Sequence, residues 1–418
     1  MLAHKERIQE MMARFKLDVL IASHPENVTY LTDFESNHHY MYRFLDWESY
    51  AIYAPERMAV PTLVISTADA AWPARFPTWA SDVFTFGPVF YLLDPEGEVS
   101  HGESKYREIL DRRARNALTA GEAIVKALKE HGLDKLRIGL DEKNVSPRTM
   151  ERLESDLVDA TMVDTFELFR IIRMIKTPDE IERLKTAGIK NERATKALLE
   201  GVGEGASEEE LMQLCLESVA EEGAVFEFCN TASGTQSSMP ILSYGHFHTP
   251  SGYRLKKGDL FKYDVGCIFD KYHADTGGCA VIGAPAEKQA AYHEAIKAGM
   301  NKAMEILRPG VLPSQVYQET IATVEKAGLK DYSKRAGFVG HGIGLEARDY
   351  PVLRAPVKST SPYLPGSYDI PIEENMVINV EVPYSALGFG GLQIEYTLLV
   401  TKNGCEKLFP QERELLVR

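Results

Sequence analysis

The stretch YDVGCIFDKYHAD, Tyr263 to Asp275, constrains this chain more than any other. It reads as two strands joined by a tight turn, mostly apolar, yet it carries Asp264 near one end and Asp275 at the other. Side chains on a strand alternate faces, so a carboxylate in such a run is either on a solvated edge or buried for a reason. A turn centred on Phe269-Asp270 predicts Asp264 opposite Asp275 and Gly266 opposite His273. Two carboxylates that close on a half-buried face repel, and one must take a proton unless a cation separates them. A divalent metal supplies that charge.

The segment INVEVPYSALGFGGLQIEYTLLV poses the same problem again. Glu381 and Glu395 lie among β-branched and apolar residues, and a turn centred on Gly388 sets them face to face. An unpaired carboxylate in such surroundings costs several kcal/mol. Between the two hairpins, GFVGHGIGLE places His341 between Gly340 and Gly342, where the backbone can approach a neighbour closely. Asp264, Asp275, His341, Glu381 and Glu395 thus form a candidate set of metal ligands. Four carboxylates and one imidazole suit two divalent ions sharing bridging oxygens, with manganese, cobalt, iron or zinc all compatible.

The rest of the chain bounds what that site belongs to. At 418 residues it is long enough for two or three domains. A formal net charge of −14 argues against a general nucleic-acid binder and fits a protein acting on small ligands. The five cysteines are an odd number without a C-x-x-C pair, which points to a reducing, cytoplasmic setting rather than a disulfide framework. The first twenty residues alternate charge with apolar positions and do not read as a signal peptide. No apolar run approaches the roughly 20 residues of a membrane span.

Strand-like runs at 17–23, 50–55, 62–66 and 137–141 alternate with helical patterns at 3–15, 104–132 and 146–158, an α/β arrangement. The stretch KTPDEIERLKTAG then opens a long helix, with Thr177 as N-cap, Pro178 at the first helical position and Glu180 completing a capping box. Further helices are expected from Ser207, over 286–307 and over 314–327, and strands over 260–269, 273–283, 376–384 and 391–401. The expected organisation is an α/β domain over 1–165 and an α+β domain over 166–418.

The order Asp, Asp, His, Glu, Glu in YDVG, HADTG, GHGIGLE, NVEVPY and GLQIEYTLLVT resembles the pita-bread-fold metallopeptidases. The MIKTPDEIERLKTAG linker helix behind an α/β domain resembles the Xaa-Pro dipeptidase, aminopeptidase P and creatinase branch. The resemblance implies a creatinase-like N-terminal domain and a pita-bread catalytic domain, usually in a homodimer. It implies that Asp264 chelates one ion, Asp275 and Glu395 bridge two, and His341 and Glu381 each complete one shell. It further implies a bridging hydroxide as nucleophile, with Glu381 as general base and then acid, and a histidine near the first aspartate that steadies the oxyanion. That histidine falls between His246 and His248 in SYGHFHTPSGY, with the count favouring His248. Partner subunits in this branch often help close the active site, a role open here to the aromatic-rich segment 35–57 with His38 and His39.

This chain departs from the branch around the metal. Arg348 stands where a second histidine is usual, Gln393 and Tyr396 replace an arginine and an acid flanking the last glutamate, and Gly278 replaces an arginine. Arg348 would place a fixed cation near the site, able to grip a carboxylate. The leading expectation is hydrolysis of an amide C–N bond in an Xaa-Pro peptide. The alternatives are a metal-dependent enzyme of this fold acting on a small metabolite, such as an ectoine-type hydrolase or a sulfonium-compound lyase, and a non-catalytic peptide-binding module.

Overall fold

The computed structural model describes all residues except 1, 37, 39–46, 81, 90, 240–251, 335 and 365. The chain divides into two compact units, Met1–Arg173 and Met174–Arg418.

The first unit is built on a seven-stranded sheet. Its order is Asn116–Ala117, Asp82–Phe86, Thr62–Ser66, Ser49–Tyr53, Val19–Ala22, Arg137–Leu140 and Thr161–Asp164. Ser49–Tyr53 runs antiparallel to both neighbours, while the outer pairings are parallel. The central strands are apolar on both sides because both faces are covered. Tyr50, Ile52, Val64 and Ile138 are buried against Ala123, Ile124 and Leu128 of the helix Ala120–Glu130.

The single helix expected over 104–132 is broken. His101–Asp111 is started by a Ser100–Glu103 capping box and ends at Arg112, and a second helix begins at Ala120 behind the N-cap Thr119. Between them Asn116–Ala117 pairs with Thr85 and Phe86 at the sheet edge. The Thr-x-x-Glu pattern at 119–122 was the local signal for that second start. The helix Phe166–Arg173, placed in the second domain by the sequence reading, belongs to the first unit. Its Leu168, Phe169 and Ile172 are buried, Ile171 O accepts from the Arg7 guanidinium, and Arg173 donates to Asn27 Oδ1.

The second unit opens with the helix Pro178–Gly201, closed at its start by the Thr177–Glu180 capping box. Glu208–Glu221 follows behind an equivalent Ser207–Glu210 box. Two sheets come next. One runs Leu416–Val417, Tyr272–Val281, Leu260–Phe269, Val225–Ser233, and the other Asp349–Val352, Gly340–Gly342, Val377–Glu381, Glu395–Thr401, Gly404–Lys407. Alternation along Leu260–Phe269 fixes which side chains reach the site. Phe261, Tyr263, Val265 and Cys267 pack on Ala187, Ala194, Leu198 and Cys215 of the helices. Lys262 and Asp264 therefore share the opposite face.

Candidate metal centre

The first hairpin turns one residue later than expected. Phe269 pairs with Tyr272, and the two-residue turn is Asp270-Lys271, with φ of 47° and 73°. Both central residues of such a turn need positive φ. Centring the turn on Phe269-Asp270 would force a bulky aromatic into that region, whereas in the actual register Phe269 stays in the strand beside Tyr272. Asp264 consequently faces Gly277, and Asp275 faces Gly266, so the expected direct opposition of the two aspartates is wrong. They are diagonal neighbours on the same face, still within reach of one ion. Gly277 has no room for a side chain: a Cβ there would lie 2.1 Å from Glu395 Oε2 and 2.2 Å from Gln393 Nε2.

Glu381 and Glu395 are direct cross-strand partners, as expected. His341 sits on a short strand beside them, paired with Asn379, rather than in a loop. Its flanking glycines answer to crowding by backbone. A Cβ on Gly340, whose φ is 149°, would lie 2.4 Å from Asn379 O, and one on Gly342 would lie 2.0 Å from Tyr350 O.

These elements converge. Ligand atoms of Asp264, Asp275 and Glu395 lie within 4.8 Å of one another. His341 Nε2 is 3.6 Å from Asp275 Oδ2 and 3.7 Å from Glu381 Oε1. His341 Nδ1 donates to Gly342 O at 3.0 Å, which fixes the tautomer and leaves Nε2 with a free lone pair. Among the described residues, that Nε2, Asp264 Oδ1 and Asp275 Oδ1 are buried without a hydrogen-bond partner. Buried polar atoms are nearly always satisfied, so three orphans in one cluster fit the coordination of a cation.

The electrostatics agree. Burial pushes the carboxyls of Asp275 and Glu395 well above the usual range, with neighbouring carboxylates adding to it. Asp264 is raised by burial, and Glu381 is raised to about 7 by burial and then by Asp264. Burial lowers His341 to about 4. Every ligand is thus driven toward its neutral form, the signature of charges awaiting a compensating ion. Glu395 is also clamped: Asn379 Nδ2 donates to Oε1, and Gln393 Nε2 donates to Oε2 at 2.6 Å. Thr397 Oγ1 lies 3.2 Å from Asn379 Oδ1 and 3.5 Å from the Asp275 carbonyl, tying the two hairpins together.

The surrounding departures acquire physical content. Gln393 is a neutral clamp on a ligand. A side chain at Gly278 would collide with the Tyr263 hydroxyl, 2.3 Å from its Cβ position. Arg348 is exposed, with its guanidinium 5.0 Å from the centre of the Phe338 ring, and its charge acts on His341, Asp264 and Glu381. Two contributors escaped the sequence reading. Asn230, cross-strand from Asp264, hydrogen-bonds that carboxylate, and Lys262 lowers Asp264 and Glu381 by its charge. Lys262 had a signal: it lies two residues from Asp264, on the same strand face.

His246 and His248 lie outside the described residues, as does His39. His38 lies in the first unit, where its Nδ1 is 2.6 Å from Asp69 Oδ1 and its ring stacks on Trp47 with centroids 4.6 Å apart. Asp69 also accepts from Ser36 Oγ at 3.0 Å and Trp47 Nε1 at 2.8 Å. Among the described residues no helix is long and apolar enough to cross a membrane.

Comparison with known proteins agrees with this geometry. Residues 182–402 match metallopeptidase family M24, and residues 83–175 match the creatinase/prolidase N-terminal domain. The Xaa-Pro dipeptidase of Pyrococcus furiosus is 30% identical over 253 residues, which cover 60% of this chain and 67% of that protein. That of Lactobacillus helveticus is 23% identical over 300 residues, covering 71% of this chain and 76% of that one. Among solved structures, the Pyrococcus horikoshii OT3 prolidase superposes with a TM-score of 0.72 at 23% identity, over 99% of both chains. The X-Pro aminopeptidase of Thermotoga maritima gives 0.71 at 20% identity, again over 99% of both. With the hairpins that carry the candidate ligands inside the matched region, this chain belongs to metallopeptidase family M24 and has the pita-bread fold.

Proposed function

We propose that this protein is a dinuclear metal-dependent peptidase that cleaves Xaa-Pro dipeptides. The observation that carries the reading is the cluster of four carboxylates and His341, with three buried ligand atoms left unpartnered. Asp264, Asp275, His341, Glu381 and Glu395 would hold the ions, and manganese fits the oxygen-rich set. Bound there, the metal would polarise the scissile carbonyl and activate a water.

The protein's own groups divide the remaining work. Glu395 has an amide donor on each oxygen and is a fixed ligand. Among the described residues the Glu381 carboxylate receives no hydrogen bond, so it is less fixed than Glu395 and open to exchanging a proton as a general base. It would take the proton from the attacking water and pass it to the leaving nitrogen. Arg348 would grip the substrate carboxylate at the rim.

The relatives named Xaa-Pro dipeptidases support this substrate class. Gln393 and Gly278 favour a second reading, in which the same centre acts on a small metabolite, because the environment around the ions is not the one usual for proline peptides. Manganese-loaded protein assayed on Gly-Pro, Ala-Pro and Leu-Pro tests the choice. Release of free proline supports the peptidase. An intact metal centre without cleavage favours the metabolite enzyme. Glu381→Gln should keep the fold and remove turnover, and near-wild-type activity would remove Glu381 from the proton-transfer role.

A further inference from the structure

We propose that Arg413, paired with Glu192, is a positioning residue that fixes the separation of Asp275 and Glu395 and so allows the centre to hold its second ion. This rests on the dinuclear reading above.

Asp275 and Glu395 stand on different sheets, and one segment of the chain is anchored to both. At one end the Gln411 side-chain amide exchanges two hydrogen bonds with the Thr397 backbone, each of 3.0 Å, two residues from Glu395. At the other end Leu416 and Val417 pair with Ala280 and Val281 on the strand of Asp275. Arg413 lies between these anchors and is only 5% exposed. Both of its terminal nitrogens donate to the Glu192 carboxylate, Nη1 at 3.2 Å. Glu192 belongs to the helix Pro178–Gly201, and the same carboxylate accepts from Thr276 Oγ1 at 3.2 Å.

The pair thus reaches the sequence neighbours of three candidate ligands. Thr276 follows Asp275. Tyr396 follows Glu395, and its ring centre is 6.0 Å from the Arg413 guanidinium carbon. Tyr263 precedes Asp264; burial raises its hydroxyl, and the Arg413 charge opposes that rise. Neighbours on a strand point to opposite faces, so Arg413 and Glu192 act from behind the ligands. Stability alone does not account for the pair. Burying two charges can cost as much as their attraction returns, and among the described residues Arg413 Nε is buried without a hydrogen-bond partner. What the pair adds is a fixed link between the two strands whose carboxylates both ions would share. A single ion can follow one hairpin, whereas two closely spaced ions need both shared carboxylates in place.

The test is calorimetric titration of the metal-free protein with manganese, with the electron paramagnetic resonance spectrum recorded on the loaded protein. The wild type is compared with Glu192→Gln/Arg413→Met, which removes both charges so that neither is stranded, and with Arg413→Lys, which keeps the charge but not the fork. The wild type should bind two ions and give the spectrum of a coupled pair. The double variant should keep the affinity for the first ion and weaken the second roughly 10- to 100-fold. Its spectrum should become that of isolated ions, while its metal-free melting temperature stays near that of the wild type. Arg413→Lys should weaken the second ion by less, and it decides by the same criteria if the double variant does not fold. Unchanged affinity for the second ion would overturn the proposal. So would an equal weakening of both ions, which would reduce the pair to general support of the fold. A wild type that binds fewer than two ions fails the dinuclear reading before any substitution is made, and this proposal with it. A wild type that binds two ions but cleaves no Xaa-Pro dipeptide fails only the peptidase reading, and the titrations still decide the role of Arg413.

Discussion

Two buried aspartates show what separates a structural carboxylate from a proposed metal ligand. Asp141, in the first unit, is fully buried. It accepts from Ser23 N and His24 N, both at 2.9 Å, from Asn27 Nδ2 at 2.6 Å and from the Ser23 hydroxyl. Asp275 is buried to a similar degree, but its Oδ1 has no hydrogen-bond partner, and its neighbours are Glu395, Asp264 and Glu381. Burial raises both carboxyls. Donors pull Asp141 back down, whereas further acids push Asp275 up. The protein completes the first site by itself and leaves the second short of donors, the condition the proposed cation would meet.

Breaking each site should have opposite consequences. Asp275→Asn should abolish activity and metal retention, while the metal-free protein becomes no less stable, because one buried like charge is gone. A drop in metal-free melting temperature would contradict that. Asp141→Ala should do the reverse. It strands several buried donors and should cost about 3 kcal/mol or more in denaturant unfolding, with metal content per folded chain unchanged.

The pH dependence sharpens the contrast. Glu381 is raised from 4.5 to about 7 in the fold, so the folded state holds its proton more tightly. That contribution is complete below about pH 4.5 and is lost as pH rises through 7. Asp264, Asp275 and Glu395 are shifted in the same direction. His341, lowered from 6.5 to about 4, runs the other way, and its share is lost as pH falls from 6.5 toward 4. With four acids against one base, the melting temperature of metal-free protein should fall from pH 5 to pH 8. Manganese should flatten the curve by an amount that grows with pH, and parallel curves with and without metal would argue against ligation by these groups. The smallest effect belongs to the clamp. Gln393→Leu should weaken metal affinity roughly 10- to 100-fold without unfolding the chain.

The clustering of the candidate ligands was legible in the sequence because a carboxylate inside a strand-like apolar run contradicts its surroundings. The two-residue periodicity carried the second hairpin directly to Glu381 facing Glu395. It failed by one residue at Asp270-Lys271, where the turn has no glycine to mark its centre. The faces survived that slip because Asp264 and Asp275 remain on one side of the hairpin. The break in the helical stretch 104–132 was missed for a related reason, since Thr119 and Glu122 signal a cap only if the helix is already suspected of stopping. Asn230 and the fit of Tyr263 over Gly278 were not readable at all, because they depend on which residues face each other across strands distant in sequence.

The central claim is that the unpartnered atoms of Asp264, Asp275 and His341 exist to bind metal. Elemental analysis of protein loaded with manganese and desalted, with Asp275→Asn in parallel, tests it most directly. The account predicts close to two ions per chain in the wild type and a sharp loss in the variant. A wild-type chain that retains no metal, or a variant that retains as much, would contradict it.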